Sequence, residues 1–101
     1  MATLYVTEFQ YVGWQRDAVQ LALAPPTVAS NNVVIGAGSL QSNPFNAHTN
    51  LIRVHCDTVC SILIGANPTA TAQQDARMAA NQTEYFFVAP GHRIAVIATT
   101  P

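Results

Sequence analysis

The chain has 101 residues, enough for one domain and too few for two. Half of them are apolar and only 9% are charged, which excludes an intrinsically disordered chain, since disorder needs low hydrophobicity and high charge. The formal net charge is −1, with no Lys and four scattered arginines, Arg16, Arg53, Arg77 and Arg93; a phosphate-tracking surface needs clustered cations, so nucleic acid is not an expected partner. No apolar run approaches the roughly 20 residues that span a bilayer, and no charged-then-apolar leader opens the chain. Neither a membrane nor a secretory signal is expected.

In chain order, apolar residues recur with the period of a strand along most of the sequence. Leu4 to Val12 is rich in strand formers, and Gly13-Trp14 ends or bulges it. Tyr5, Thr7, Phe9 and Tyr11 share one face of this segment; Leu4, Val6, Glu8, Gln10 and Val12 share the other. Leu4 and Val6 contradict Glu8 and Gln10 on the same face. Segment 1–14 is therefore expected to be an edge or partner-facing strand, with Leu4, Tyr5, Val6, Phe9, Tyr11 and Trp14 as candidate interface residues. A self-contained core strand is the competing reading.

Ala18 to Leu23 is a second strand, stopped by Pro25-Pro26. Val33 to Ile35 and Ser39 to Gln41 form short strands around Gly36-Ala37-Gly38, and Asn43-Pro44-Phe45-Asn46 is turn chemistry. Leu51 to Asp57 alternates most clearly, with Ile52, Val54 and Cys56 on one face and Arg53, His55 and Asp57 on the other. Val59 to Ile64 is apolar on both faces and should lie centrally or under a partner. Thr71 to Ala80 has helix formers but no apolar stripe, and reads as a long loop with room for one helical turn. Thr83 to Val88, the turn at Pro90-Gly91, and Arg93 to Thr99 complete the pattern. About eight short strands with turns between them predict a single domain over residues 1–101. The expected fold is an all-β antiparallel sandwich, jelly-roll-like, with Ile52, Val54, Ile62, Ile64, Phe87, Ile94 and Val96 in its core.

Catalytic constellations are weak. Glu8, Asp17, Asp57, Asp75 and Glu84 offer no paired carboxylates at a working spacing. His55 and Cys56 are adjacent on a strand and so point to opposite faces, which disfavours a dyad. Cys56-x3-Cys60 with His55 lacks the usual zinc spacings, and the pair reads as two buried thiols, with a disulfide open to them only if their strands face each other. Gly36-Ala37-Gly38-Ser39 lacks the third glycine and the helix of a phosphate loop. Asn81-Gln82-Thr83 matches a glycosylation acceptor, which has meaning only on a secretory route. No enzyme activity, no cofactor and no metal are expected. The shortage of charge instead points to a subunit that covers part of its surface with copies of itself or with a larger body.

The stretch Phe45-Asn46-Ala47-His48-Thr49, Ile52-Arg53-Val54-His55-Cys56-Asp57, Cys60-Ser61-Ile62-Leu63-Ile64-Gly65-Ala66-Asn67-Pro68-Thr69-Ala70, Met78 to Phe86 and Pro90 to Ile97, with the opening Met1 to Phe9, resembles small structural proteins of tailed bacteriophages that decorate or cement the head. That resemblance implies a jelly-roll-like sandwich sitting as an oligomer, trimer or dimer, on the major capsid protein at the outer surface of the virion. It supplies no catalytic residues. A head–tail joining or tail component, and a small ligand- or carbohydrate-binding jelly roll, are the alternative functions.

Overall fold

The computed structural model describes residues 2–10, 12–15, 18–23, 29–72 and 75–99. Those residues hold strands, turns and bends, and no helix. The strands are β1 (Thr3–Phe9), β2 (Val12–Gln15), β3 (Ala18–Leu23), β4 (Ala29–Ser30), β5 (Val33–Val34), β6 (Leu40–Gln41), β7 (Leu51–Cys56), β8 (Cys60–Gly65), β9 (Ala76–Met78), β10 (Thr83–Phe87) and β11 (Arg93–Ala98). They form two main antiparallel sheets. The first runs β10-β7-β1-β4, with β5 also on β1; the second runs β6-β11-β8-β9. β4 pairs with Thr7 and Glu8, β5 with Thr3 and Leu4. These two short strands follow each other along one side of β1, so the first sheet is four strands wide. β2 and β3 form a separate two-stranded ribbon.

Alternation decides which faces are buried. Leu4 and Val6 of β1 and Ile52, Val54 and Cys56 of β7 lie on one side of the first sheet; Cys60 and Ile62 of β8, Met78 of β9 and Ile94 and Val96 of β11 lie on one side of the second. All belong to one buried cluster, completed by Val33, Ile35 and Phe45. Two sheets that share a core in this way make a sandwich-like fold. β8 lies between β11 and β9, as its two apolar faces predict.

Polar side chains fix the irregular places. Asn31 and Asn32 interrupt what would be one strand into β4 and β5. There the Val6 N–H donates to Asn32 Oδ1 (3.1 Å), and the Asn31 N–H donates to the Val6 carbonyl (2.8 Å). Asn31 and Asn43 also bond reciprocally, Nδ2 to the Asn43 carbonyl and Oδ1 from the Asn43 N–H. The Glu8 carboxylate is buried on the core side of β1 and accepts the Asn46 N–H (2.8 Å) and the Thr49 hydroxyl (2.7 Å). It therefore pins the 46–49 turn to the sheet, which is how a buried charge becomes tolerable. At Pro90-Gly91 the His92 N–H donates to the Ala89 carbonyl, and Gly91 has φ +83°. That is a type II turn, which needs positive φ at its third residue.

Four expectations are corrected. β1 is not an edge strand: it lies between β7 and the β4/β5 pair. Leu4 and Val6 are wholly buried in the chain's own core and so are not interface residues. Phe87, expected in the core, is 83% exposed; Phe86 and Val88, its opposite-parity neighbours, pack against the core instead. Both parities of this strand are apolar, so the pattern alone did not choose a face. The stretch from Thr71 contains strand β9, paired with β8 over Cys60 to Ile62. A turn precedes it, with the Asp75 N–H donating to the Thr71 carbonyl and the Thr71 N–H to Asp75 Oδ2. Tertiary pairing overrides helix propensity there.

Candidate functional site

The outer side of the first sheet collects the exposed aromatic side chains. Ladder pairing sets them in rows: Tyr5, His55 and Thr83; then Thr7, Arg53 and Tyr85; then Phe9, Leu51 and Phe87. Each residue is of outward parity on its strand, opposite to the core-facing side of Val6, Val54 and Phe86. Tyr5 is 43% exposed and Tyr85 56%. Arg53 and His55 are half-buried between them. In the third row Phe9 and Leu51 are buried, so the face closes at that end of β1 and β7 and stays open at Phe87.

The rows have internal order. His55 Nδ1 lies 2.8 Å from Thr83 Oγ1, which fixes the imidazole plane from the β10 side. On the β1 side the Tyr5 ring meets it at 6.4 Å between centroids, tilted 42°. The result is a sheet face that carries large rings, a guanidinium and an imidazole. It can stack, make apolar contact and donate a few hydrogen bonds.

The other candidate groups sit elsewhere. His55 and Cys56 do point to opposite faces, and Cys56 is buried in the core. Cys56 and Cys60 are both free and fully buried. They stand where β7 leaves the first sheet and β8 enters the second, and the two strands do not pair with each other. Cys56 Sγ donates to the Ala79 carbonyl at 2.9 Å. Burial, with the Cys56 thiol beside it, pushes the Cys60 thiol up to about 12. A thiol held protonated at neutral pH is a poor nucleophile and a poor metal ligand. Among the described residues no three His, Cys, Asp or Glu side chains come together as a metal site would need. Ser39, in the glycine-containing connection, spends its hydroxyl accepting the Ala70 N–H (2.9 Å). A shallow open cleft lies at the β9 end, lined by Val59, Arg77, Met78, Ala79 and Gln82.

Of the six interface candidates read from the sequence, the structure brings only Tyr5 to this exposed face. Phe9 shares the face but is buried. Tyr11 and the Trp14 side chain lie outside the described residues. Tyr85 and Phe87 were missed as surface residues. The sequence carries half of the signal: Tyr85-Phe86-Phe87 puts large rings on both parities, and which of them stays exposed is set by β10 lying at a sheet edge. Comparison with protein-family models, with curated proteins and with solved structures finds no match to this chain.

Proposed function

We propose that this chain is a non-enzymatic structural protein that decorates and stabilises a phage head, working as a homo-oligomer on the outer surface of the major capsid protein. The observation that carries the reading is the open aromatic face of the first sheet, where Tyr5, Tyr85 and Phe87 are all exposed. Large aromatic side chains held exposed on one sheet face, with an arginine between them, have the composition of a contact site. The low charge of the chain suits that role, because a contact surface with few ions desolvates cheaply. Many modest contacts repeated over a particle then add up through avidity. The sequence resemblance to phage decoration proteins points the same way.

The strand order supports a jelly roll as the finer fold class. A jelly roll is a long hairpin rolled up, so that first pairs with last, second with seventh, third with sixth and fourth with fifth. Counting from β5 and putting β1 in the eighth place, the pairs are β5 with β1, β6 with β11, β7 with β10 and β8 with β9. On this reading the chain is a circularly permuted jelly roll, its eighth strand supplied from the N-terminal side. The start of β1 and the end of β11 are both held by the 35–36 segment, the Ile35 N–H donating to the Ala2 carbonyl and the Ala98 N–H to the Gly36 carbonyl.

Stoichiometry on purified particles tests the function. A decoration protein is present at capsomer stoichiometry, and heads lacking it lose genome at lower temperature until the protein is added back. A copy number equal to one ring would instead assign the chain to the head–tail junction. Binding of an oligosaccharide to the Tyr5, Tyr85 and Phe87 face, with no binding to heads, would favour the carbohydrate-binding alternative.

A further inference from the structure

β10 forms the free edge of the first sheet, and among the described residues no strand pairs with its outer side. The phase of its backbone is fixed. The Val88 N–H donates to the Asn50 carbonyl at 2.9 Å, continuing the register in which Phe87 faces Leu51. Hydrogen-bonded pairs alternate along an antiparallel ladder. Glu84, Phe86 and Val88 therefore turn their backbone groups toward β7. Thr83, Tyr85 and Phe87 turn theirs outward, where no strand of the described residues pairs with them.

Such an edge is a hazard that proteins normally blunt with short strands, Pro, Lys or bulges. The remaining outer strands of the two sheets follow that rule by being short: β4, β5 and β6 have two residues each and β9 has three. β10 has five, with neither Pro nor Lys, and its register with β7 runs without a shift. It is an edge left able to pair.

We propose that β10 pairs with β10 of a second copy about a two-fold axis through Tyr85, joining the two first sheets into one continuous antiparallel sheet. This deepens the self-association part of the reading above and rests on it. The strand is complementary to itself in that register. Tyr85 falls opposite Tyr85, and Thr83 of each copy opposite Phe87 of the other. All three residues have outward backbone groups, so each facing pair exchanges two hydrogen bonds. Glu84, the sole charge in the strand, falls opposite Phe86 of the other copy, so no like charges face each other. Its Oε2 already accepts the Gln82 Nε2 donor at 2.8 Å. The side chains of the outward residues extend the aromatic face across the junction.

Light scattering on size-exclusion fractions of the full chain, over a dilution series, tests this with two variants. Tyr85→Pro deletes an N–H that points away from β7, so it removes edge pairing and leaves the internal ladder intact. Phe87→Lys alters a side chain that is 83% exposed and places a charge on the edge. The expected result is a dimeric wild type and, for both variants, a monomer with an unchanged far-UV spectrum; Phe87→Lys carries the test if Tyr85→Pro fails to fold. A folded Phe87→Lys or Tyr85→Pro protein that stays dimeric overturns the edge pairing and leaves self-association to another surface. A wild-type trimer does the same, because an isologous two-fold contact closes at two. A wild type that is monomeric at every concentration overturns both. So does a monomer whose β10 amides gain exchange protection only when capsid protein is added, which would hand the edge to that partner.

Discussion

The two main sheets have similar inner faces and different outer ones. Inside, each presents Ile, Val and Cys side chains with almost no exposure. Outside, the second sheet is built of small residues where it is closed: Ala95 and Ser61 are fully buried. The 66–72 segment is tied back to it by polar anchors. Gln41 Nε2 donates to Asn67 Oδ1 and to the Pro68 carbonyl, the Ala70 N–H donates to Ser39, and Pro68 and Ala70 are buried. The outer side of the first sheet carries Tyr5, Tyr85 and Phe87 in the open. A face destined for the chain's own loops is small and anchored; a face left large and aromatic is available to another molecule.

The largest test of this division is removal of residues 1–6. The deletion takes out four of the seven residues of β1, including Leu4 opposite Cys56 and Val6 opposite Val54. β1 is a central strand, so the expected outcome is loss of the folded state, seen as loss of a cooperative transition in urea. Survival of the fold would mean that β1 is dispensable and the first sheet closes without it. Val54→Ala comes next. Val54 is fully buried in the shared core, and truncation there should cost about 2–3 kcal/mol in chemical denaturation, transfer and cavity terms together. A cost below about 0.5 kcal/mol would mean the site is not packed by both sheets.

Those two experiments probe different degrees of legibility. The burial of Val54 was readable because Arg53 and His55 mark the opposite face of β7 as polar. β8 was readable as central because Leu63, with Val59 just before the strand, makes its second face apolar too. The place of β1 was not readable: its mixed face reflects Glu8, whose charge is accommodated by Asn46 and Thr49, far along the chain. A long-range hydrogen bond leaves no local pattern. β9 was missed for the same reason, since Ala76 to Met78 become a strand only by pairing with β8. The candidate site was legible in part. Tyr5 stood out among the early aromatics, but the exposure of Tyr85 and Phe87 follows from β10 being at an edge, and edge position is a property of topology.

Alkaline pH separates the core from both outer faces. The Cys60 thiol is raised from 9.0 to about 12 by burial and by Cys56. The folded state therefore binds this proton more tightly than the unfolded chain. Its contribution is fully present below pH 9.0 and is lost as pH rises toward about 12. Stability measured over that window should fall less steeply for Cys60→Ala than for the wild type, because the other titrating groups are common to both proteins. Equal slopes would show that the thiol ionises in the fold as easily as in water. Ser61→Ala has a smaller and opposite effect. The Ser61 hydroxyl is buried with no hydrogen-bond partner among the described residues, so removing it should leave stability unchanged or raise it by up to about 1 kcal/mol. A loss above that would reveal a partner for the hydroxyl.

The finest test compares one position from each outer face with the same replacement. Leu63 on the second sheet is 39% exposed, so most of its side chain is in contact with its own chain. Phe87 is 83% exposed and touches little of it. Thr keeps strand propensity at both sites, so the change isolates lost apolar contact. Leu63→Thr should cost about 1 kcal/mol at any protein concentration, from partial loss of buried area. Phe87→Thr should cost under about 0.5 kcal/mol in a dilute, monomeric sample. In a concentrated sample the order reverses if Phe87 lies in a contact between copies. The wild type then gains stability by mass action and the Phe87→Thr protein does not. A Phe87→Thr cost equal to that of Leu63→Thr, and independent of concentration, would mean that the chain covers both outer faces itself, and the contrast between the sheets would collapse.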